Sequence, residues 1–120
     1  MLGHLTTLPA WVRARRLGSY LADSQRHEGF IHLSRVDQVA LPANRLFAGR
    51  TDLLLLVIDP ARLDAEVRWE PGVPTDPASM RFPHLYGPLP VAAVTAVVPW
   101  PPGPDGTFTA PVALVGSGDG

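Results

Sequence analysis

The sequence predicts a small single-domain α+β fold, in which curved, mostly antiparallel sheets pack against two helices of the N-terminal half. The first observation is length, since 120 residues are too few for two domains. The second is patterning: helical spacing of apolar residues is confined to the first half of the chain, and strand-like runs dominate the second. The third is composition, because 46% apolar and 18% charged residues indicate a folded core.

The N-terminal elements are a short strand and a helix. Leu2–Leu5 is predicted to be extended, and Thr7 is placed as a helix N-cap with Pro9 in the tolerated first turn. Gly18 is predicted to end this helix. Its apolar residues recur at helical spacing at Trp11, Ala14 and Leu17.

A polar loop, Asp23–Gly29, lies between the extended piece Tyr20–Ala22 and the predicted strand Phe30–Leu33. Ser34 is then predicted to cap the second helix, since Asp37 three residues later approximates a capping box. The helix is expected to kink or restart at Pro42 and to end at Gly49. Its apolar face comprises Val36, Val39, Ala40, Ala43, Leu46 and Phe47.

The later elements are strands. Asp52–Asp59 is continuously apolar between its end residues, which is typical of a central buried strand, and Ala65–Glu70 alternates as a strand does. The turn-rich segment Met80–Pro90 carries Phe82, His84 and Tyr86 on alternate positions, and Val91–Val98 is the last strand. Proline and glycine then dominate, so we expect a domain over residues 1–100 and a flexible tail over 101–120.

Composition excludes several classes of protein. With no cysteine there is no disulfide framework and no thiolate metal site. The longest apolar run, Leu53–Ile58, is too short to cross a bilayer, and the N-terminus has no signal-peptide pattern, so we expect a cytoplasmic protein without membrane contact. A net charge of −1 gives no general attraction for nucleic acid, although the sequence leaves undecided whether arginines form a local basic groove.

Histidines are the candidate reactive groups. His4, His32 and His84 all fall in strand-like segments, and imidazoles from neighbouring strands that met in one cleft would form a site for binding or proton transfer. The alternative is that each is a half-buried strand residue bonded to nearby backbone. No HxH or HxxxH pair occurs, so no metal is expected. Further candidate ligand-binding residues are Thr6, Tyr20, Asp23, Ser24, Ser34 and Tyr86.

Several segments resemble one family. The stretches EGFIHLS, ANRLFAG, LLLLVIDPARL and FPHLYGPLP occur in the order and spacing seen in the small bacterial proteins grouped as DUF952. The resemblance extends from His4 to about Pro99. That family has no settled activity. The resemblance to it implies a fold similar to the ADP-ribosyltransferase-like fold, which includes the RNA 2′-phosphotransferases.

The resemblance also implies a ligand and roles for residues. Such enzymes hold NAD or an ADP-ribosylated intermediate between two small sheets. His4 matches the histidine of the first core strand and His32 the residue of the second. The third position is often glutamate, but the late strands offer no acidic candidate, and His84 or Tyr86 is the nearest match. His4 is expected to donate to a ribose hydroxyl, with His32 or Tyr86 packed on the nicotinamide ring.

Three functional hypotheses follow. In the first, the domain binds NAD or a related nucleotide in a histidine-lined cleft and transfers ADP-ribose to a small molecule or a nucleic acid end. In the second, the same scaffold only binds a small ligand. In the third, the histidines act as general acid and base on a biosynthetic intermediate. The sequence leaves the acceptor and the oligomeric state open.

Overall fold

The structure is a computed structural model that describes residues 1–20, 28–72 and 80–109. It contains an α+β domain with antiparallel strand pairing, as the sequence predicts. No helix in these ranges is long and apolar enough to cross a membrane. The strands are β1 (Leu2–Thr7), β2 (Ser19–Tyr20), β3 (Ile31–His32), β4 (Ser34–Arg35), β5 (Leu53–Ile58), β6 (Val67–Pro71), β7 (Arg81–Leu85), β8 (Leu89–Pro90) and β9 (Val94–Pro99), and the helices are α1 (Leu8–Leu17) and α2 (Ala40–Phe47).

The first sheet has the strand order β4-β1-β5-β9. Its centre is β5, in which every residue except Leu54 is buried, so the prediction of a buried central strand is confirmed. β1 pairs with β5 along its whole length, from Leu2 opposite Ile58 to Thr7 opposite Leu53. On its other side, β1 pairs with β4 at only two positions, Leu2 and Gly3.

The second sheet has the order β3-β7-β6, and a small third sheet joins β2 to β8. In the second sheet His32 lies directly opposite His84. The chain changes sheets between residues 33 and 34: the Leu33 amide donates to the Pro83 carbonyl of the second sheet, whereas Ser34 pairs with Gly3 of the first. This crossover brings the edges of the two sheets together beside His4.

Helix α1 begins and ends where the sequence predicts. Thr7 occupies the N-cap position, although its side chain makes no capping hydrogen bond. Pro9 stands in the first turn, where its missing N–H has no helical partner to lose. Gly18 takes the left-handed conformation (φ 85°), and its amide donates to the Ala14 carbonyl. Trp11 and Ala14 are buried, as expected for the core face.

The predicted Ser34 cap is wrong. Ser34 and Arg35 form β4, a 3-10 turn follows over Val36–Gln38, and α2 begins only at Ala40. The Arg35 amide donates to the Gln38 side chain, while Asp37 pairs with the Arg35 guanidinium. Pairing with Gly3 therefore outweighs the local capping pattern, because it satisfies backbone groups that a helix N-terminus would leave open.

Helix α2 is short because it starts late. Pro42 falls in its first turn, where amides have no helical partner, so the helix neither kinks nor restarts there. Phe47 is its last residue, and Gly49 follows with a φ of 84°. The helix packs on the first sheet through Ala43, which is fully buried.

The core extends beyond the boundary predicted at residue 100. Trp100 and Phe108 are buried with Val39, Leu53 and Leu55 in one of the two core clusters. Both backbone groups of Phe108 bond to the Asn44 side chain, at 2.7 and 2.9 Å. Phe108, which lies within the predicted tail, is thus attached to α2. The remainder of the predicted tail, residues 110–120, lies outside the described residues.

A close contact supports the end of β7 next to the histidines. A Cβ added at Gly87 would come within 2.5 Å of the Ala65 Cβ. We therefore expect Gly87→Ala to lower the free energy of unfolding by about 1–3 kcal/mol, measured by urea denaturation. The double variant with Ala65→Gly should recover most of the loss, because it removes the clash. Equal stability of the single variant and the wild type would contradict this account.

Candidate functional site

The three candidate histidines lie on adjacent strands. His4 is on β1, His32 on β3 and His84 on β7. The His4 Nδ1 lies 2.7 Å from the His32 carbonyl oxygen, and the His32 and His84 rings lie 5.0 Å apart in an edge-to-face arrangement. The structure thus brings together residues separated by up to 80 positions in sequence, because the sheet edges meet where β3 runs into β4.

His4 is neutral, with one ring nitrogen that donates a hydrogen bond and one that can only accept. A carbonyl oxygen can only accept, so the bond to His32 requires the proton to be on Nδ1 and leaves Nε2 with a lone pair. Burial lowers the pKa of His4 to about 4, with the bond to the His32 carbonyl opposing the shift. Nε2 is buried and has no hydrogen-bond partner. In this tautomer Nε2 carries no proton, so His4 cannot donate from Nε2 to a ribose hydroxyl as the sequence analysis expects.

A cavity of about 490 Å³ opens beside His4, where the two sheets and α2 meet. Its size is within the range usual for small-molecule sites. Leu46, which is 71% exposed, lies in its wall. The polar lining residues are His4, Glu28, His32, Ser34 and Arg45, and the others are Gly3, Leu5, Leu33, Pro42, Leu46, Phe47, Gly72 and Phe82.

The other predicted site residues divide into three groups. Ser34 lines the cavity, whereas His84, Thr6, Tyr20 and Tyr86 are not in its wall. Thr6 and Tyr20 bond to each other through their hydroxyls at 3.0 Å, and the Tyr20 ring packs edge-on against His4. They support the buried face of His4. Asp23 and Ser24 lie outside the described residues.

Two glutamates join the histidines, and sequence analysis assigned neither to the site. The Glu28 carboxylate lies 3.0 Å from His32 Nε2 and lines the cavity. Glu70, on β6, bonds to both His84 and Tyr86, so a late strand does supply an acid. For Glu28 the signal was its position four residues before His32; for Glu70 no local signal existed, because its partners lie on another strand. No cluster of three or more His, Asp or Glu in the described ranges is arranged to hold a metal ion.

Comparison with known proteins supports the family resemblance. The family model described as "Protein of unknown function (DUF952)" matches residues 5–97. The chain belongs to this family. The match runs from the second half of β1 through most of β9 and includes two of the three candidate histidines, His32 and His84; His4 lies one residue before it. No curated protein matches this DUF952 chain.

Solved structures show the same fold. The crystal structure of Protein CC0527 from Caulobacter crescentus is 28% identical, with a TM-score of 0.80 over 95% of this chain and 97% of that one. A double mutant of CC0527 gives 27% identity with the same score and coverage. The solution NMR structure of CC0527 gives 28% identity and a TM-score of 0.74, over 93% and 92% of the two chains.

The buried neutral His4 predicts acid sensitivity. On unfolding, His4 regains its ordinary pKa. Below that pH the unfolded state binds a proton that the folded state does not bind, so the free energy of unfolding decreases as the pH is lowered. Between pH 7.5 and pH 5 the loss from this group should be about 2 kcal/mol. His4→Asn keeps a side-chain nitrogen donor near the His32 carbonyl but cannot titrate. Between pH 7.5 and pH 5, the free energy of unfolding of this variant, measured with urea, should decrease by about 2 kcal/mol less than that of the wild type. Parallel curves of unfolding free energy against pH for the two proteins would contradict the lowered pKa of His4.

Proposed function

We propose that the cavity binds NAD or a closely related nucleotide and that the domain transfers ADP-ribose from it to a hydroxyl of a small molecule or a nucleic acid end. One observation carries the proposal: a neutral His4 with an unused acceptor lies in the cavity wall beside the Glu28–His32 pair. The proposal also takes over the expectation that DUF952 proteins have a fold similar to the ADP-ribosyltransferase-like fold, which is an analogy of fold only.

The lining residues fit such a ligand. The His4 Nε2 is buried without a hydrogen-bond partner, at a cost in free energy, so a ribose hydroxyl that displaces neighbouring atoms to reach it would find an acceptor. Phe47 and Phe82 offer apolar surface for a flat ring. Arg45 also lines the cavity and can contribute positive charge toward a phosphate. Two of these residues lie on α2, so the helix would form the wall opposite the histidines.

A carboxylate completes the arrangement. The reaction begins with cleavage of the nicotinamide–ribose bond, which passes through a state with positive charge on the ribose. A negative group fixed nearby lowers the energy of that state without reorganising. Glu28 is such a group: it lies in the cavity wall, and its bond to His32 holds it in place. It provides the acid that was not found among the late strands of the sequence.

Binding is tested by thermal unfolding with NAD. A ligand selective for the folded state at ten times its Kd stabilises it by about 1.4 kcal/mol, which raises Tm by several degrees. His4→Asn should lose most of this shift, because it lacks an acceptor at the Nε2 position. Glu66→Gln, an exposed change outside the cavity wall, serves as the matched control and should retain it. No shift of the wild-type Tm at millimolar NAD would contradict the proposal.

Catalysis is tested by nicotinamide release. Glu28→Gln should still bind NAD, because it keeps the shape of the side chain, but nicotinamide release should slow by about 100-fold or more. Glu66→Gln should release nicotinamide at the wild-type rate. Equal rates in the Glu28 variant and the wild type would remove Glu28 from the reaction. Binding without any release would instead support a protein that only binds the nucleotide.

A further inference from the structure

The cavity has a polar side and an apolar side. The polar side lies where the two main sheets meet, and it carries His4 and the Glu28–His32 pair. The other side is formed by α2, and of the four α2 residues in the wall only Arg45 is polar. The remaining three are Pro42, Leu46 and Phe47. A molecule that fills the cavity therefore meets hydrogen-bonding groups on one side and hydrocarbon on the other.

Leu46 is the exposed part of the apolar side. Of its surface 71% is exposed, more than for any other large hydrophobic residue in the described ranges. An exposed apolar group in the wall of a cavity is typical of a binding site, because a ligand that covers it removes hydrocarbon from water. Nothing in the proposed binding of NAD covers Leu46, since the flat ring is assigned to Phe47 and Phe82. Leu46 therefore offers a contact for a second, apolar molecule.

The charges near the cavity do not favour a nucleic acid as that second molecule. Nucleic acids bind where several cations face their phosphates. Arg35, next to the lining residue Ser34, pairs instead with Asp37 at 2.9 Å, and Arg50, just beyond α2, pairs with Asp52 at 2.6 Å. The wall itself carries one carboxylate beside its one guanidinium. The described surroundings of the cavity thus have no surplus of positive charge that would attract a polyanion.

Three arginines without an ion pair lie on the other side of the first sheet. Arg13, Arg15 and Arg16 belong to α1 and pair with no described acidic residue. Helix α1 packs in the core cluster that contains Leu56, and α2 in the cluster that contains Leu55. Successive residues of a strand point to opposite faces of its sheet, so the two helices lie on opposite faces. The basic end of α1 therefore does not extend the α2 wall into a groove for phosphates.

We propose that the acceptor of ADP-ribose is an apolar small molecule with a hydroxyl group, and that Leu46 determines this specificity by binding its hydrocarbon part. The inference rests on the proposed transfer and chooses between the two acceptors named there. In the transfer, the nicotinamide–ribose C–N bond breaks and its electron pair goes to nicotinamide. The acceptor oxygen bonds to the ribose carbon, and its proton passes to solvent. No oxidant or reductant takes part.

Binding of such an acceptor is tested without NAD, by ¹H–¹⁵N NMR of the full chain with 1-octanol as the probe. Octanol should shift the amide signals of Leu46 and Phe47. Leu46→Gln should weaken its binding by about 10-fold, because a polar group replaces hydrocarbon in the contact. Glutamine keeps the helix propensity of leucine, so the helix is retained. Equal octanol affinity in Leu46→Gln and wild type would overturn the role of Leu46.

Leu41→Gln is the matched control. Leu41 is an exposed leucine of the same helix, but it lies outside the cavity wall. This variant should bind octanol as the wild type does. A single-stranded RNA oligonucleotide should leave the signals of the cavity residues unchanged. If RNA shifts these signals and octanol does not, the acceptor is a nucleic acid and the proposal is overturned.

The transfer is tested with NAD, octanol and the oligonucleotide in one reaction, analysed by mass spectrometry. The expected product is ADP-ribose joined to the octanol oxygen, with the oligonucleotide unmodified. Leu46→Gln should raise the KM for octanol by about 10-fold and leave kcat near that of the wild type, because Leu46 contacts hydrocarbon away from the reacting atoms. Leu41→Gln should change neither constant.

The two possible failures are distinguishable. ADP-ribose found on the oligonucleotide, or released only as free ADP-ribose, would overturn the apolar acceptor and leave the proposed binding and cleavage of NAD standing. Absence of nicotinamide release from the wild type, with octanol or without it, would overturn the proposed transfer and the choice of acceptor together.

Discussion

The hydrogen bond from the His4 ring to the His32 carbonyl, 2.7 Å long, links the two main sheets at the site. The crossover after Leu33 makes it necessary. Up to that residue the strand bonds to the second sheet, and from Ser34 it bonds to the first, so the edges of the two sheets meet beside His4. The imidazole spans the gap that backbone pairing leaves. In doing so it fixes its own tautomer, stays neutral, and holds the His32 strand against the cavity.

The same bond determines how charge is distributed. Since His4 is an uncharged acceptor, the charge of the site belongs to the Glu28–His32 pair on the cavity side and to Glu70 on the far side of His84. Between these two charged groups, the His32 and His84 rings contact each other, and the Phe30 ring contacts both.

Local pattern predicted the elements well wherever a residue's partners are near in sequence. The Gly18 cap, the α1 core face and the buried strand β5 all follow from spacing within a few residues. It failed where a distant strand competes. Ser34 looks like a helix cap but pairs with Gly3, and Phe108 looks like part of a tail but bonds to Asn44. In both cases the deciding groups are remote backbone and side-chain atoms that no short window contains.

By itself, the sequence determined the α+β fold class, the family and which histidines are candidate site residues, because residue type, short-range periodicity and segment order carry that information. The tertiary structure alone decided which side chains meet, that His4 donates from Nδ1 and keeps Nε2 as an acceptor, and that Glu28 and Glu70 belong beside the imidazoles. The reason is physical. Tautomer and charge state depend on burial and on hydrogen-bond partners, and here those partners come from strands that only folding brings together.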